Sequence, residues 1–424
     1  MSCCVDAPAA HHLSHPVAGG RPLVADAVKI LHTSDWHAGK VWKGQSRLDE
    51  LATVLDDIAS AIERECIDLV LMTGDIFDTP SPSAEAERIV FGFFRRVGRL
   101  DVPSVVIAGN HDGAARVEAW AQLAELAQVW ACGLPKPRTA GGCIEIASRG
   151  GERAVVAMVP FAPVARLVSA QELGEAPERA AHTYAAEMQK LVAHVCEGFG
   201  RHTVNLLMAH THLEGAMVGG SERRVHIGDD WAARPEMLPA EADYVALGHI
   251  HRHQRIEAAP GPTWYAGSPL QLDFGEEGQE KFYNVVDVRA GQPARVEPRP
   301  CVGGRPVRTV TIPAASLPSL SVHGPQGMRD NPHLRVIVEC PGPDVDADIN
   351  RQVRAALPGV VSVDVRVPAR AAGRDAPPLI DGSLGPRELY LRFRAARREG
   401  PAAAAVIDAF EQLYVEALQE EPVS

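Results

Sequence analysis

Five short stretches of this chain place carboxylate, amide and imidazole side chains at spacings that suit metal ligation. They are Ser34–His37, Gly74–Asp75, Gly109–Asp112, His210–His212 and Gly248–His251. Asp35 and His37 stand two residues apart, as do His249 and His251, so on an extended chain each pair points one way. Asn110 offers a neutral carbonyl oxygen. The inventory holds no thiolate, which selects hard to borderline divalent ions such as Mn²⁺, Fe²⁺ or Zn²⁺. Asp35, His37, Asp75, Asn110, His210, His249 and His251 are too many for one ion with an open position. They suit two ions about 3.5–4 Å apart that share a carboxylate. Asp75, after the apolar run Leu69–Met72 and a glycine, is the natural bridge. The expected division is Asp35, His37, Asp75 and His251 on one ion, with Asp75, Asn110, His210 and His249 on the other. A water between two such cations loses a proton near neutral pH and becomes a nucleophile. His111 is not needed as a ligand; it can protonate a leaving oxygen or stabilise a charged transition state. The reaction class is phosphoester hydrolysis.

Neighbouring residues have plainer readings. Asp78 is expected to cap a turn or hydrogen-bond a ligand, and Trp36 to pack. His212 and His226 are read as non-ligands, and His253 as solvated in the loop that follows.

Elements must deliver these groups to one place. Val28–Thr33 reads as a strand. Leu48, Leu51, Val54, Leu55, Ile58 and Ile62 recur at helical spacing within Arg47–Arg64. Asp68–Thr73 is a buried strand, Ser83–Leu100 a helix, Val102–Ala108 a strand and Arg116–Leu126 a helix, a βαβ series that implies a parallel sheet. A strand at Glu152–Pro160, a helix at Pro177–Gly198 and strands at Val204–Ala209, Ala242–Leu247, Gly261–Ser268 and Phe282–Val288 follow. Each motif follows an apolar strand, and in open α/β sheets ligands gather outside the carboxyl ends of strands. Residues 215–231 read as a surface loop.

From about residue 291 the composition changes. Strands at Val307–Ile312, His333–Cys340 and Val360–Val367 with a helix at Asp346–Leu357 make a small α/β domain. Pro368–Pro378 reads as a linker, and Pro386–Arg398 and Ala402–Gln419 as helices. The second carries an apolar stripe, Val406, Ile407, Phe410, Leu413, Tyr414 and Leu418, suited to a partner groove. Residues 1–27 show no period and are expected to be disordered; His11, His12 and His15 belong to that tail.

Composition bounds the rest. The 424 residues are 46% hydrophobic and 23% charged, ordinary for globular domains. The net charge of −12 argues against holding nucleic acid by bulk electrostatics. Eight cysteines without a C-x-x-C pair fit buried thiols in a reducing, cytoplasmic setting. No apolar run is long enough for a membrane span, and no secretory signal is expected.

The order D-x-H, G-D, G-N-H-D, H, G-H-x-H resembles the calcineurin-like metallophosphoesterase superfamily. Ile30–His37, Gly74–Asp78, Ala108–Asp112, Tyr244–His251 and Gly267–Glu276 further resemble the nuclease subunits of the double-strand-break repair nuclease family. The resemblance implies a two-sheet αββα sandwich over 28–290. It implies a small α/β capping domain and linker over 291–378, and a helical partner-binding segment over 379–424. It also implies two Mn²⁺ ions and a DNA exonuclease and endonuclease. Such a subunit would form a homodimer through helices around 83–130 and bind a coiled-coil ATPase in a heterotetramer. Two departures are the 27 residues before the first strand and the loop at Ile227–Asp229, where a second glycine is expected. Without the resemblance the residues do not separate DNA from a small phosphodiester, such as a cyclic nucleotide, as substrate.

Overall fold

The computed structural model describes residues 27–169, 177–219, 232–319, 331–342, 348–357, 359–367, 386–396, 406–407 and 409–410. The N-terminal tail with its three histidines, His226, the Ile227–Asp229 loop, the 368–378 linker and most of the final helix lie outside them.

The chain opens with β1 (Val28–Thr33), a short hairpin of β2 (Val41–Trp42) and β3 (Gln45–Ser46), and α1 (Leu48–Arg64). Then come β4 (Leu69–Met72), α2 (Ala84–Arg99), β5 (Ser104–Ile107), α3 (Ala114–Ala124) and β6 (Val129–Cys132). Next are β7 (Cys143–Ala147), β8 (Arg153–Val159), α4 (Val164–Leu167), α5 (Pro177–Cys196), β9 (Val204–His210) and β10 (Tyr244–Gly248). The strands β11 (Gln254–Arg255), β12 (Thr263–Tyr265), β13 (Phe282–Arg289) and β14 (Gln292–Pro300) complete two sheets.

The first sheet runs β14-β13-β1-β4-β5-β6 and the second β11-β12-β10-β9-β8-β7. Strand alternation builds three layers of core. On β4, Leu69 and Leu71 face the second sheet, while Val70 and Met72 face α1 and α2. On β9, Leu206 and Met208 meet the first sheet, and Leu207 and Ala209 meet α5. The result is an αββα sandwich with β1, β4, β5 and β6 parallel in one sheet and β8, β9, β10 and β12 parallel in the other.

One boundary differs from the sequence reading. β14 pairs antiparallel with β13, so the first sheet continues to Pro300 and a division at 290/291 would cut a hairpin. Pro293, Pro298 and Pro300 mark the change of composition at about 291, yet β14 is the sheet's edge strand, where the missing N–H groups cost no pairing.

A third sheet, β15 (Val307–Pro313), β16 (His333–Glu339) and β17 (Val360–Arg366), is parallel throughout and packs on α6 (Ile349–Ala356). It is tied to the first unit by a buried polar junction. Arg47, 2% exposed, donates to Glu50 and to the Gln271 carbonyl. Glu50 accepts from His333 Nε2 (2.7 Å) and the Arg305 N–H (2.9 Å), while Gln271 Oε1 accepts from the Val307 N–H (2.7 Å). Trp42 packs between Phe274 and His333. α7 (Pro386–Ala396) follows, and its Tyr390 stacks on Phe410 at 4.4 Å. Among the described residues no helix is long and apolar enough to cross a membrane.

Candidate metal centre

The carboxyl ends of β1, β4, β5, β9 and β10 converge on one rim. Asp35 and His37 follow β1, Asp75 follows β4, Asn110 and His111 follow β5, His210 ends β9, and His249 and His251 follow β10. All except Asn110 and His111 are 4% exposed or less. The backbone bends hard there: Asp35, His37, Asp75 and His249 all have positive φ, from 46° to 100°. Such conformations cost energy in non-glycine residues and persist only where the surroundings impose them. Gly109 makes room. A Cβ there would run into the Asp75 backbone N–H, Asp75 Oδ1 and the His210 ring.

Two groups of donors form. Asp35, His37, Asp75 and His251 each present an atom within 4.8 Å of the others, and His37 Nε2 faces His251 Nε2 at 3.1 Å. Across the site, Asn110 Oδ1 lies 3.0 Å from His210 Nε2 and 2.9 Å from His249 Nδ1. Asp75 stands between them, with Oδ2 3.5 Å from His37 Nε2 and Oδ1 3.6 Å from His210 Nε2.

The far ring nitrogens are held by acceptors. His37 Nδ1 donates to Asp78 Oδ1 (3.1 Å), His251 Nδ1 to Glu276 Oε1 (3.0 Å) and His210 Nδ1 to the Thr73 carbonyl (2.7 Å). Each bond fixes a tautomer and leaves Nε2 as a lone pair aimed inward. Two lone pairs facing at 3.1 Å repel unless a cation lies between them, so the donor set fits divalent metal. The charge state agrees. Burial pushes His37 and His249 well below the ordinary histidine value and His210 down to about 3, so the rings stay neutral. Burial, then the Asp35 charge, raises Asp75. Neutral rings around crowded carboxylates form a cavity that a cation would complete.

The sequence profile of the calcineurin-like phosphoesterase family matches residues 28–253. The chain belongs to the calcineurin-like phosphoesterase family. Three relatives, each named as the SbcD component of the nuclease SbcCD, are similar over long stretches. That of Bacillus subtilis is 35% identical over 66% of this chain and 71% of its own length. That of Rhodobacter capsulatus is 31% identical over 83% and 90%, and that of Escherichia coli K12 is 30% identical over 64% and 67%. A calcineurin-like phosphoesterase with this buried His and Asp cluster fits a dimetal site.

The rest of this phosphoesterase centre locks its loops. Asp112 accepts from the N–H groups of Gly109, Ile76 and Phe77, and burial pushes it up to about 6. Asp75 Oδ1 accepts from the His111 N–H (2.8 Å) and Asp35 Oδ1 from the His249 N–H (3.0 Å). Asp78 supports His37 and pairs with Lys40 at 3.1 Å. Burial alone would raise Asp78, but the His37 bond and the Lys40 charge hold it far below the usual range. His111, 8% exposed, donates from Nδ1 to the Asp78 carbonyl (2.9 Å), with its ring edge-on to His37 at 4.6 Å.

His212 stands outside the ligand groups, its ring 6.4 Å from that of His249. His253 differs from expectation. It is not solvated: Nε2 donates to Asn284 Oδ1 (2.8 Å) and the ring packs between Trp264 and Phe282. The sequence analysis assigned no role to the groups behind the ligands: Thr73, Glu276, Lys281 and Asp112. Glu276 closes the Gly267–Glu276 stretch, but nothing local marks its partner as His251.

Proposed function

We propose that this chain is a dimetal-dependent DNA nuclease that hydrolyses phosphodiester bonds, endo- and exonucleolytically, in concert with an SbcC-type ATPase. The observation that carries the reading is the arrangement of Asp35, His37, Asp75, Asn110, His210, His249 and His251. They form two donor groups around one carboxylate, with three imidazoles locked from behind. Asp35, His37, Asp75 and His251 would hold one cation, and Asn110, His210 and His249, with Asp75, the other. Mn²⁺ suits this oxygen- and imidazole-rich set. Bound cations would activate a water and neutralise phosphate charge. The chain's own residues orient the ligands, and His111 handles the proton. Its Nδ1 is tied to the Asp78 carbonyl, which orients the ring for proton transfer to the leaving oxygen.

The names of the SbcCD relatives support a nuclease that works with a second component. The acidic balance of the chain agrees with a subunit that gains its grip on DNA from that partner. We assign residues 28–300 to the nuclease domain, the parallel sheet β15–β17 to the capping domain, and α7 with residues beyond it to ATPase binding in a heterotetramer. We assign a homodimer contact to helices around 83–130, and the exposed Phe91, Leu123 and Leu126 support that reading. A cytoplasmic location follows from the DNA substrate.

The test is cleavage of linear double-stranded DNA with Mn²⁺, by wild type and His111→Leu, each with and without an SbcC-type ATPase and ATP. His111→Leu is expected to bind two Mn²⁺ and lose about 10²–10⁴-fold in turnover. No DNA cleavage by wild type in any condition, with turnover of a small phosphodiester, would move the substrate away from DNA.

A further inference from the structure

The loop between β12 and β13 packs against His251 of the metal centre. It carries a buried ion pair, Glu276 with Lys281. Glu276 is 0% exposed and ends a short turn that Asp273 caps through the Gly275 N–H. Its Oε1 accepts from His251 Nδ1 (3.0 Å), and its Oε2 accepts from the Leu272 N–H (3.0 Å) and from Lys281 Nζ (2.6 Å). Lys281 also donates to Ser268 Oγ (3.0 Å) and to the backbone carbonyl of His251 itself (3.1 Å). His251 is therefore clasped twice, its ring by the carboxylate and its main chain by the ammonium.

We propose that Glu276 and Lys281 are positioning residues for His251 and set the affinity of one of the two metal ions. The inference rests on the dimetal reading. A buried Glu–Lys pair is poor evidence for stability, since apolar side chains of like volume commonly replace such pairs without loss. A carboxylate behind a ligating imidazole does something apolar groups cannot: it fixes the ring and raises the basicity of the opposite nitrogen. The carboxylate is held in place from both ends, since Oε2 takes the Leu272 N–H and the Lys281 ammonium while Oε1 faces the His251 ring. The two halves of the centre differ in this respect. His37 and His251 are both backed by carboxylates, each paired with a lysine. His210 is backed by the neutral Thr73 carbonyl. Weakening Glu276 should act on the half that holds Asp35, His37 and His251 and spare the other.

The test is Mn²⁺ titration of the full chain by calorimetry and electron paramagnetic resonance, with metal-free melting temperature as the fold control. Glu276→Gln/Lys281→Met removes both charges together and leaves an amide that can still accept from His251. One binding step should weaken by about 10–100-fold, the cost typical of mutating the partner behind a metal ligand, here through the lost carboxylate charge, while the other step stays within about threefold of wild type. Should that variant fail to fold, Glu276→Asp carries the same test: it keeps the charge opposite Lys281 but draws the carboxylate back from His251. Both steps unchanged in a folded variant overturns the proposal, as does a lowered melting temperature with unchanged binding. Wild type that binds fewer than two Mn²⁺ would instead overturn the dimetal reading itself.

Discussion

Adding one methyl group at Gly109 should disable the centre without replacing a ligand. A Cβ at that position would overlap Asp75 Oδ1, the Asp75 backbone nitrogen and His210 Cε1. The backbone nitrogen cannot rotate aside, so either β5's end loop or the Asp75 turn must move. Overpacking of this kind costs about 1–3 kcal/mol, or roughly 2–12 °C in melting temperature for a domain of this size. The chemical cost is larger. A shift approaching 1 Å in reacting geometry removes about 10²-fold in rate, and Asp75 sits between the two donor groups. Gly92→Ala is the matched control. It adds the same methyl inside α2, where nothing lies within 4 Å. There the methyl should stabilise by about 0.5–1 kcal/mol, since glycine is a poor helix former. The assay is scanning fluorimetry of metal-free protein with Mn²⁺-dependent DNA cleavage. A Gly109→Ala protein that melts within about 1 °C of wild type and cleaves normally would refute the close approach of these loops.

Three further outcomes are expected. Asp75→Ala should abolish Mn²⁺-dependent cleavage and reduce the bound metal below two per chain; near-normal turnover would remove Asp75 from the centre. Acid should destabilise the metal-free protein as pH falls from about 6.5 toward 3. Burial holds His32 and His210 at about 3 and drives His37 and His249 well down. The unfolded chain therefore binds more protons in that window, and its population grows as pH drops. Asp75 and Asp112 shift upward and oppose this, while Glu50, Asp78 and Glu276 shift downward and add to it. A melting temperature that rises as the pH is lowered through the window would contradict this balance. Glu50→Ala should free the small domain from the sandwich, because it strips the acceptor from His333, Arg305 and Arg47 at once. Limited proteolysis between Cys301 and Val307 should speed up at least several-fold, and unchanged cleavage would place the junction's strength elsewhere.

Much of this was legible before any coordinates. Helix α1 announces itself because its buried face, Leu48, Leu51, Val54, Leu55, Ile58 and Ile62, recurs at the period of the helix. The donor inventory is legible because five apolar strands each end in Asp, Asn or His, weak signals singly, and parallel strands put their carboxyl ends on one rim. The partners of those donors are another matter. The Thr73 carbonyl that orients His210 is a backbone atom, identical in every residue, and acts across 137 positions. His253 reads as one more loop histidine until Trp264, Phe282 and Asn284 close around it. β14 reads as the start of the small domain because its prolines mask the alternation, and only its pairing with β13 at a sheet edge makes it part of the first sheet. Glu276 and Lys281 lie in a loop without period, and their meeting with His251 depends on how β10, β12 and β13 sit across two stacked sheets. Residue type and local period, both short-range, determined which atoms this chain can offer a metal. Which nitrogen of each imidazole faces inward depends on hydrogen bonds to groups 25 to 137 residues away, and only the packing of the sheets decides those.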